Sequence, residues 1–344
     1  MHPLLADKDK VFNHLVINTE DELQKFVADL ENNSRLRFRG VCEAKYTMLT
    51  SLQRNCPLEM RGRQKEYMTH LLHKIKNSPD VITYFSDMGV AINDISCLAL
   101  MQHYGLPTPL LDFSTDINIA LSFAADGLKT DIANDETDNF VSLYVFDKVY
   151  EYEVGITIQQ ILMNGMANGI QLLHDHFREK PTENIDASIL YNINEFISWN
   201  DIKDIELAFI EYQPLAPGVV TLSGQSLDLS NPNSDRQKGC FLLNLYNEIM
   251  PLEENWNGRT FEYRNQFWKN RGPGFRKLPF SGVMTRDKMC CFDIKKEVIT
   301  HWADKNRIQL YDNSPISIAI KEKMQNIKTT LDEEIRNTQS PSIS

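Results

Sequence analysis

The stretch Ile117 to Ala125, INIALSFAA, limits the fold more than any other feature of the chain. Apart from Asn118 and Ser122 it is apolar all round, and a helix without a polar face has to be covered on every side. Such cover needs a layered core. With 344 residues, 42% hydrophobic and 24% charged, the chain can build one. Small polar residues, Ser114, Thr115 and Asp116, stand directly before this helix.

Elsewhere the patterning is mixed. Thr19, followed three residues later by Glu22, makes a capping box on a helix over 19 to 31, whose Leu23, Phe26, Val27 and Leu30 share a face. Helical spacing also predicts helices from about Arg63 to Lys76, with Tyr67, Leu71, Leu72 and Ile75 inward, from Asp94 to His103, and from Ile316 to about Leu331. Arg35 to Gly40 alternates like a short strand ending at a glycine. Further strands are expected at Phe140 to Phe146, Leu207 to Tyr212, Cys240 to Tyr246 and Met289 to Ile294.

Helices early and antiparallel-looking strands later suit an α+β fold, a mainly antiparallel mixed sheet with helices packed on it, better than a doubly wound sheet. Residues 155 to 200, broken by Gly165 and Gly169, read as two helices and as an insertion. The expected organisation is a helical lead-in over 1–34, a first core part over 35–150, a helical insertion over 151–204, a second core part over 205–321, and a helix end with polar tail over 322–344.

Charge and motif content exclude several classes. With 36 Lys+Arg against 47 Asp+Glu the net charge is -11, so bulk electrostatic DNA binding is disfavoured. No stretch reaches the roughly 18 apolar residues of a membrane span, and the N-terminus has no basic segment followed by an apolar run; a cytoplasmic protein without membrane contact is expected. Six cysteines without C-x-x-C spacing predict buried thiols rather than a disulfide framework or a zinc site, and no metal is expected. The dinucleotide fingerprint, the P-loop, H-E-x-x-H and G-x-S-x-G are missing.

Three polar constellations remain. In Phe38-Arg39-Gly40, an arginine at a strand end offers a donor fork suited to a carboxylate or diphosphate, and the glycine lets a backbone or a ligand approach closely. The run Met101 to Thr115 packs Gln102, His103, Asp112, Ser114 and Thr115 around a Gly/Pro turn before the buried helix, where first-turn N–H groups can hold an anion. In Asp235 to Phe241 a polar turn feeds an apolar strand, with Gln237 at its opening. Each has a structural reading as well: an ion pair for Arg39, a cap for Ser114 or Thr115, a core position for His103, an ordinary turn for Gln237.

These stretches together resemble the FRG-domain family: Phe-Arg-Gly at 38 to 40, the Gln-His-Tyr-Gly-Leu-Pro-Thr-x-Leu-Leu-Asp run from Gln102 to Asp112 followed by Ala120-Leu121-x-Phe123-Ala124, and Arg236-Gln237-x-Gly239-x-Phe241. The likeness runs from about Leu36 to Lys321. Pro109 stands where the family usually has arginine, so this position offers no cation; Phe113 replaces a frequent tryptophan and Asp116-Ile117 a common Asn-Pro. The family occurs in bacterial proteins, some in phage-defence settings.

The layout is also similar, by analogy, to the Arg, Ser-Thr, Glu plan of ADP-ribosyltransferases. That likeness implies an ADP-ribosyltransferase-like fold and a protein that handles NAD or a similar nucleotide. Arg39, His103, Asp112 and Gln237 would be the catalytic positions, and Arg39, Gly40, Gln102, Ser114, Thr115 and Arg236 the cofactor-binding ones, acting on a protein or nucleic-acid target. Gln237 is neutral where those enzymes carry a glutamate, so the charge facing an oxocarbenium would come from Asp112 or Asp235.

Two other readings stay open. Arg259 to Lys277 holds six basic residues and one acid among Phe261, Tyr263, Phe267, Trp268 and Phe275, a composition able to stack bases. His103 oriented by Asp112 would serve a nuclease as general base. His174 and His176, two apart on a helix, face different sides and do not form a metal pair.

Overall fold

The computed structural model describes residues 1–34, 36–88, 92–128, 135–147, 171, 174–175, 178, 199–203, 207–211, 237–244, 251–253, 289–311 and 313–339. Most of the insertion expected over 151–204, the 259–277 segment, Arg236 and His176 lie outside these residues.

In chain order the elements are α1 Leu5–Asp9, β1 Asn13–Ile17, α2 Glu20–Leu30, β2 Leu36–Val41, α3 Ser51–Asn55, α4 Gln64–Lys76, α5 Pro79–Asp87, α6 Asp94–His103, β3 Leu110–Ser114, α7 Ile117–Ala125, β4 Phe140–Asp147, α8 Trp199–Ile202, β5 Leu207–Glu211, β6 Gly239–Asn244, β7 Met289–Lys295, α9 Lys296–Asn306 and α10 Pro315–Gln339. The fold class is α+β with a mixed sheet, as the patterning indicates. Among the described residues no helix is long and apolar enough to cross a membrane.

Several local rules act as written in the sequence. The Thr19 hydroxyl accepts from Glu22 N while Glu22 reaches back to Thr19 N, so the capping box on α2 is formed. Other boundaries move. The lead-in contributes a strand, β1, as well as helices, and α10 starts at Pro315 and continues to Gln339, beyond the apolar spacing that marked Leu331. Lys74 to Glu334 and Tyr67 to Asp332, contacts from distant α4, hold that extra length.

The described residues divide into two units. In the first, drawn from Met1–Met48, Ala120–Ile156 and Pro251–Arg307, strands run in the order β1, β7, β4, β2. β1 is parallel to β7, and the other two pairings are antiparallel. Cross-strand partners share a face. One face therefore carries Phe38, Gly40, Leu143 and Phe292, and the other Arg37, Arg39, Tyr144, Ser142, Cys291, Asp293 and His14. The first is covered by helices: the Phe26 ring of α2 lies 4.3 Å from that of Phe292, and α7 meets Gly40. The N-terminal segment crosses the second, with the Phe12 ring 5.3 Å from Tyr144 and Lys8 bonded into the strands.

In the second unit, Leu49–Ile119, Thr157–Met250 and Ile308–Ser344, β6 pairs antiparallel with both β3 and β5. Helices α4, α5, α6 and α10 pack together there. Buried Asp94 ties three of the helices by accepting from Lys76 Nζ and Trp199 N, each at 2.6 Å.

Candidate functional site

The first motif is explained by close packing. Phe38 is 1% exposed and Gly40 lies on the same face of β2. A Cβ placed on Gly40 would stand 1.8 Å from the Ala120 oxygen and 2.7 Å from Ala124 N, so only glycine lets α7 approach this closely. The alanines of Ala120-Leu121-Ser122-Phe123-Ala124 are the complement of that glycine. Of the two reasons a glycine could stand here, backbone approach is the one realised. Arg39 projects to the opposite face from Gly40, half-buried and in register with Tyr144. Its neighbour on that face, Arg37, is buried and donates from Nη1 to the carbonyls of Ser34 and Leu36.

The second motif is a helix terminator followed by a polar relay. Gly105 has φ 74, Leu106 N bonds to Met101 O and Gly105 N to Gln102 O, which is the glycine-dependent close of α6. The chain then doubles back so that the Gln102 side chain meets its own motif's end. Gln102 Nε2 donates to Asp112 Oδ2 at 2.6 Å, and Thr108 Oγ1 donates to Gln102 Oε1. Thr108, completely buried, is fixed by Ser51, whose Oγ accepts from Thr108 N at 2.9 Å. Each amide end of Gln102 thus has a partner, and the Asp112 carboxylate is presented half-exposed on β3 at a set angle. His103 stacks its ring edgewise on Tyr104, centroids 4.6 Å apart.

The third motif joins the second. Register places Asp112 opposite Phe241 and Ser114 opposite Gly239. Beyond the ladder, Ser114 Oγ donates to Gln237 O at 2.7 Å and Thr115 N to Lys238 O at 3.0 Å. Lys238 adopts φ 44, rare for a side-chain-bearing residue, and its Nζ is 2.7 Å from Asp116 Oδ2. Gln237 Nε2 donates to Leu310 O at 2.8 Å.

One expectation changes. The start of α7 is capped by neither Ser114 nor Thr115: Asp116 Oδ1 accepts from Asn118 N at 2.9 Å, while the buried Ser114 hydroxyl accepts from Asp116 N. Burial would raise the Asp116 carboxyl, but Lys238 and the backbone N–H bonds outweigh it and hold its pKa below the usual value. A carboxylate therefore occupies the first turn where an anion was expected. Ser114 spends its hydroxyl on the seam between β3 and β6, whereas Thr115 is exposed.

The sequence-named residues are distributed between the units. Gln102, Asp112, Ser114, Thr115 and Gln237 belong to the second, in two sets of bonds joined along β3 and its pairing with β6; Arg39 and Gly40 belong to the first. Thr108, Asp116 and Lys238 take part without having been singled out. Thr108 lay in plain view inside the quoted motif, and the i, i+2 spacing of Asp116 and Asn118 was a cap signal. A separate cluster, His14, Cys291 and Asp293, brings ligand-type atoms within 4.8 Å of one another, but the Lys8 ammonium, 2.7 Å from Asp293, already supplies a cation there. His174 and Asp175 are exposed.

The model of the FRG domain family matches residues 34–132. No curated protein and no solved structure gives a significant match to the chain. The matched stretch holds the Phe-Arg-Gly strand end, the glycine-closed α6, the Gln102–Asp112 relay and the helix that Gly40 admits: the chain carries an FRG domain over residues 34–132.

Proposed function

We propose that this protein binds a nucleotide and handles NAD in the manner of ADP-ribosyltransferases, with the β3–β6 seam as its working surface. The observation that supports this most is the bond from Ser114 Oγ to Gln237 O, at 2.7 Å, which sets a hydroxyl turn beside the opening of a late strand on the sheet that presents Asp112. In this reading the bond between C1′ of the ribose and nicotinamide breaks, its electron pair leaving with nicotinamide. Water or an acceptor group then attacks C1′ and gives up a proton. The positive charge at C1′ is faced by the Asp112 carboxylate, which Gln102 orients, while Gln237 offers its amide to a ribose hydroxyl.

Incubation of the full chain with NAD tests this reading. Nicotinamide release is expected, slowed by Asp112→Asn while circular dichroism is unchanged. A chain that neither releases nicotinamide nor retains NAD would refute it.

A further inference from the structure

On the far face of the first unit's sheet the N-terminal segment is fastened by a buried chain of ionisable groups. Lys8 of α1 has no exposed side-chain surface. Its Nζ donates to Asp293 Oδ1 at 2.7 Å and to Ser142 Oγ at 2.5 Å, lies 3.7 Å from Cys291 Sγ and sits 5.7 Å above the Tyr144 ring centre. Ser142 Oγ donates to the same Asp293 oxygen at 2.6 Å. The other oxygen, Oδ2, lies 3.0 Å from His14 Nε2, and His14 Nδ1 lies 2.8 Å from Asp9 Oδ1. The His14 side chain is 2% exposed, whereas Asp9 is 60% exposed, so the chain runs from the interior to solvent.

The hydrogen-bond count at His14 decides its charge. A carboxylate only accepts, and a neutral imidazole has one N–H to give. Both ring nitrogens face carboxylates, and both bonds form only with imidazolium. In that state two cations, Lys8 and His14, balance two anions, Asp293 and Asp9. Loss of the proton turns a ring lone pair toward a carboxylate and removes a donor from buried Asp293, an arrangement that is costly away from water.

We propose that Leu5–Ile17 is a pH-sensitive strap, held on the sheet by doubly protonated His14 and loosened when that proton leaves. The groups facing His14 are Asp9 and Lys8 from α1, Asp293 and Cys291 from β7, and behind these Ser142 and Tyr144 of β4. Strand β1 is open to such release. In the described sheet it pairs with β7, is five residues long and leaves Leu15 63% exposed.

The titration runs in the same sense. Burial disfavours charge on His14, yet the bonds to Asp293 and Asp9 outweigh it and raise its pKa above the usual value. A raised histidine contributes in full below its unfolded value of about 6.5, and its contribution is lost as pH rises through the folded value. Burial likewise opposes charge on Asp293, and the bonds from His14, Lys8 and Ser142 overcome it to lower that pKa. Its contribution is present above the usual carboxylate value of about 4 and is lost in stronger acid. The strap is thus tightest in mildly acidic solution.

Hydrogen exchange of peptides covering β1 and β7, corrected for the intrinsic pH dependence of exchange, reads the strap directly. Between pH 6 and 9 the opening constant of the unaltered protein is expected to rise by up to about tenfold per pH unit through the titration. His14→Gln, which does not titrate and can donate only from its one amide nitrogen, should show a high and pH-independent opening constant. A flat profile in the unaltered protein, or the same slope in both proteins, would overturn the proposal. Should the variant not fold, ring nitrogen chemical shifts of the unaltered protein decide: His14 is expected to titrate above the ordinary histidine value, and titration at or below that value would overturn the proposal.

Discussion

Two polar clusters in this molecule use similar groups to opposite ends. Around Asp293 the carboxylate and Lys8 are fully buried, and every neighbour is a donor or counter-charge from the chain itself. Around Asp112 the carboxylate is half-exposed and accepts from Gln102, whose other amide end is fixed by Thr108. A sealed, charge-balanced cluster fastens elements together. A directed carboxylate open to solvent is one that a ligand can reach. The difference between the two lies in what surrounds the acid, since the residue type is the same.

The contrast breaks first at Lys8. Lys8→Met leaves a buried carboxylate short of its counter-ion and is expected to lower stability by about 3–5 kcal/mol in urea unfolding, whereas Asp112→Asn, which keeps an acceptor for Gln102, should cost under about 1 kcal/mol. Equal costs for the two substitutions would remove the distinction. Gly40→Ala is expected to cost about 3 kcal/mol by the same measurement, because its Cβ would overlap the backbone of Ala120. Thr108→Val, which silences the relay's first donor, should lower stability by about 1–2 kcal/mol and loosen Asp112, visible as broadened Gln102 side-chain amide resonances. Thr19→Ala, which removes an exposed cap outside both clusters, is expected to cost about 1 kcal/mol in thermal unfolding.

Much of the architecture was legible wherever a segment satisfies its own requirements. The apolar spacing of α4, the nearly all-apolar run of α7 and the capping box of α2 are local statements, and their elements form where the sequence puts them. Strand β1 escaped notice because Asn-His-Leu-Val-Ile is short, marginal in its sheet and carries a histidine whose partners are Asp9 and distant Asp293. The far end of α10 escaped because its fixing contacts come from α4.

The candidate site was legible in part for the same reason. Gly105 and Gln102 act within their own motif, and the joining of the Asp112 and Gln237 stretches is antiparallel pairing of two strands that the sequence already marked. The identity of the α7 cap turned on which of three adjacent polar residues faces the helix, a matter of backbone geometry. The Lys8 cluster left one trace, an aspartate within the otherwise apolar Met289–Ile294 strand; its partners come from positions 8, 14 and 142, whose convergence depends on strand order.

The most direct measurement is nicotinamide release from NAD by the purified full chain beside its Asp112→Asn variant, with both folds checked by circular dichroism. The account expects release by the unaltered protein and a rate at least about a hundredfold lower in the variant, the loss typical of removing a group aimed at developing charge. A chain that neither retains nor cleaves NAD, or a variant as active as its parent, would contradict it.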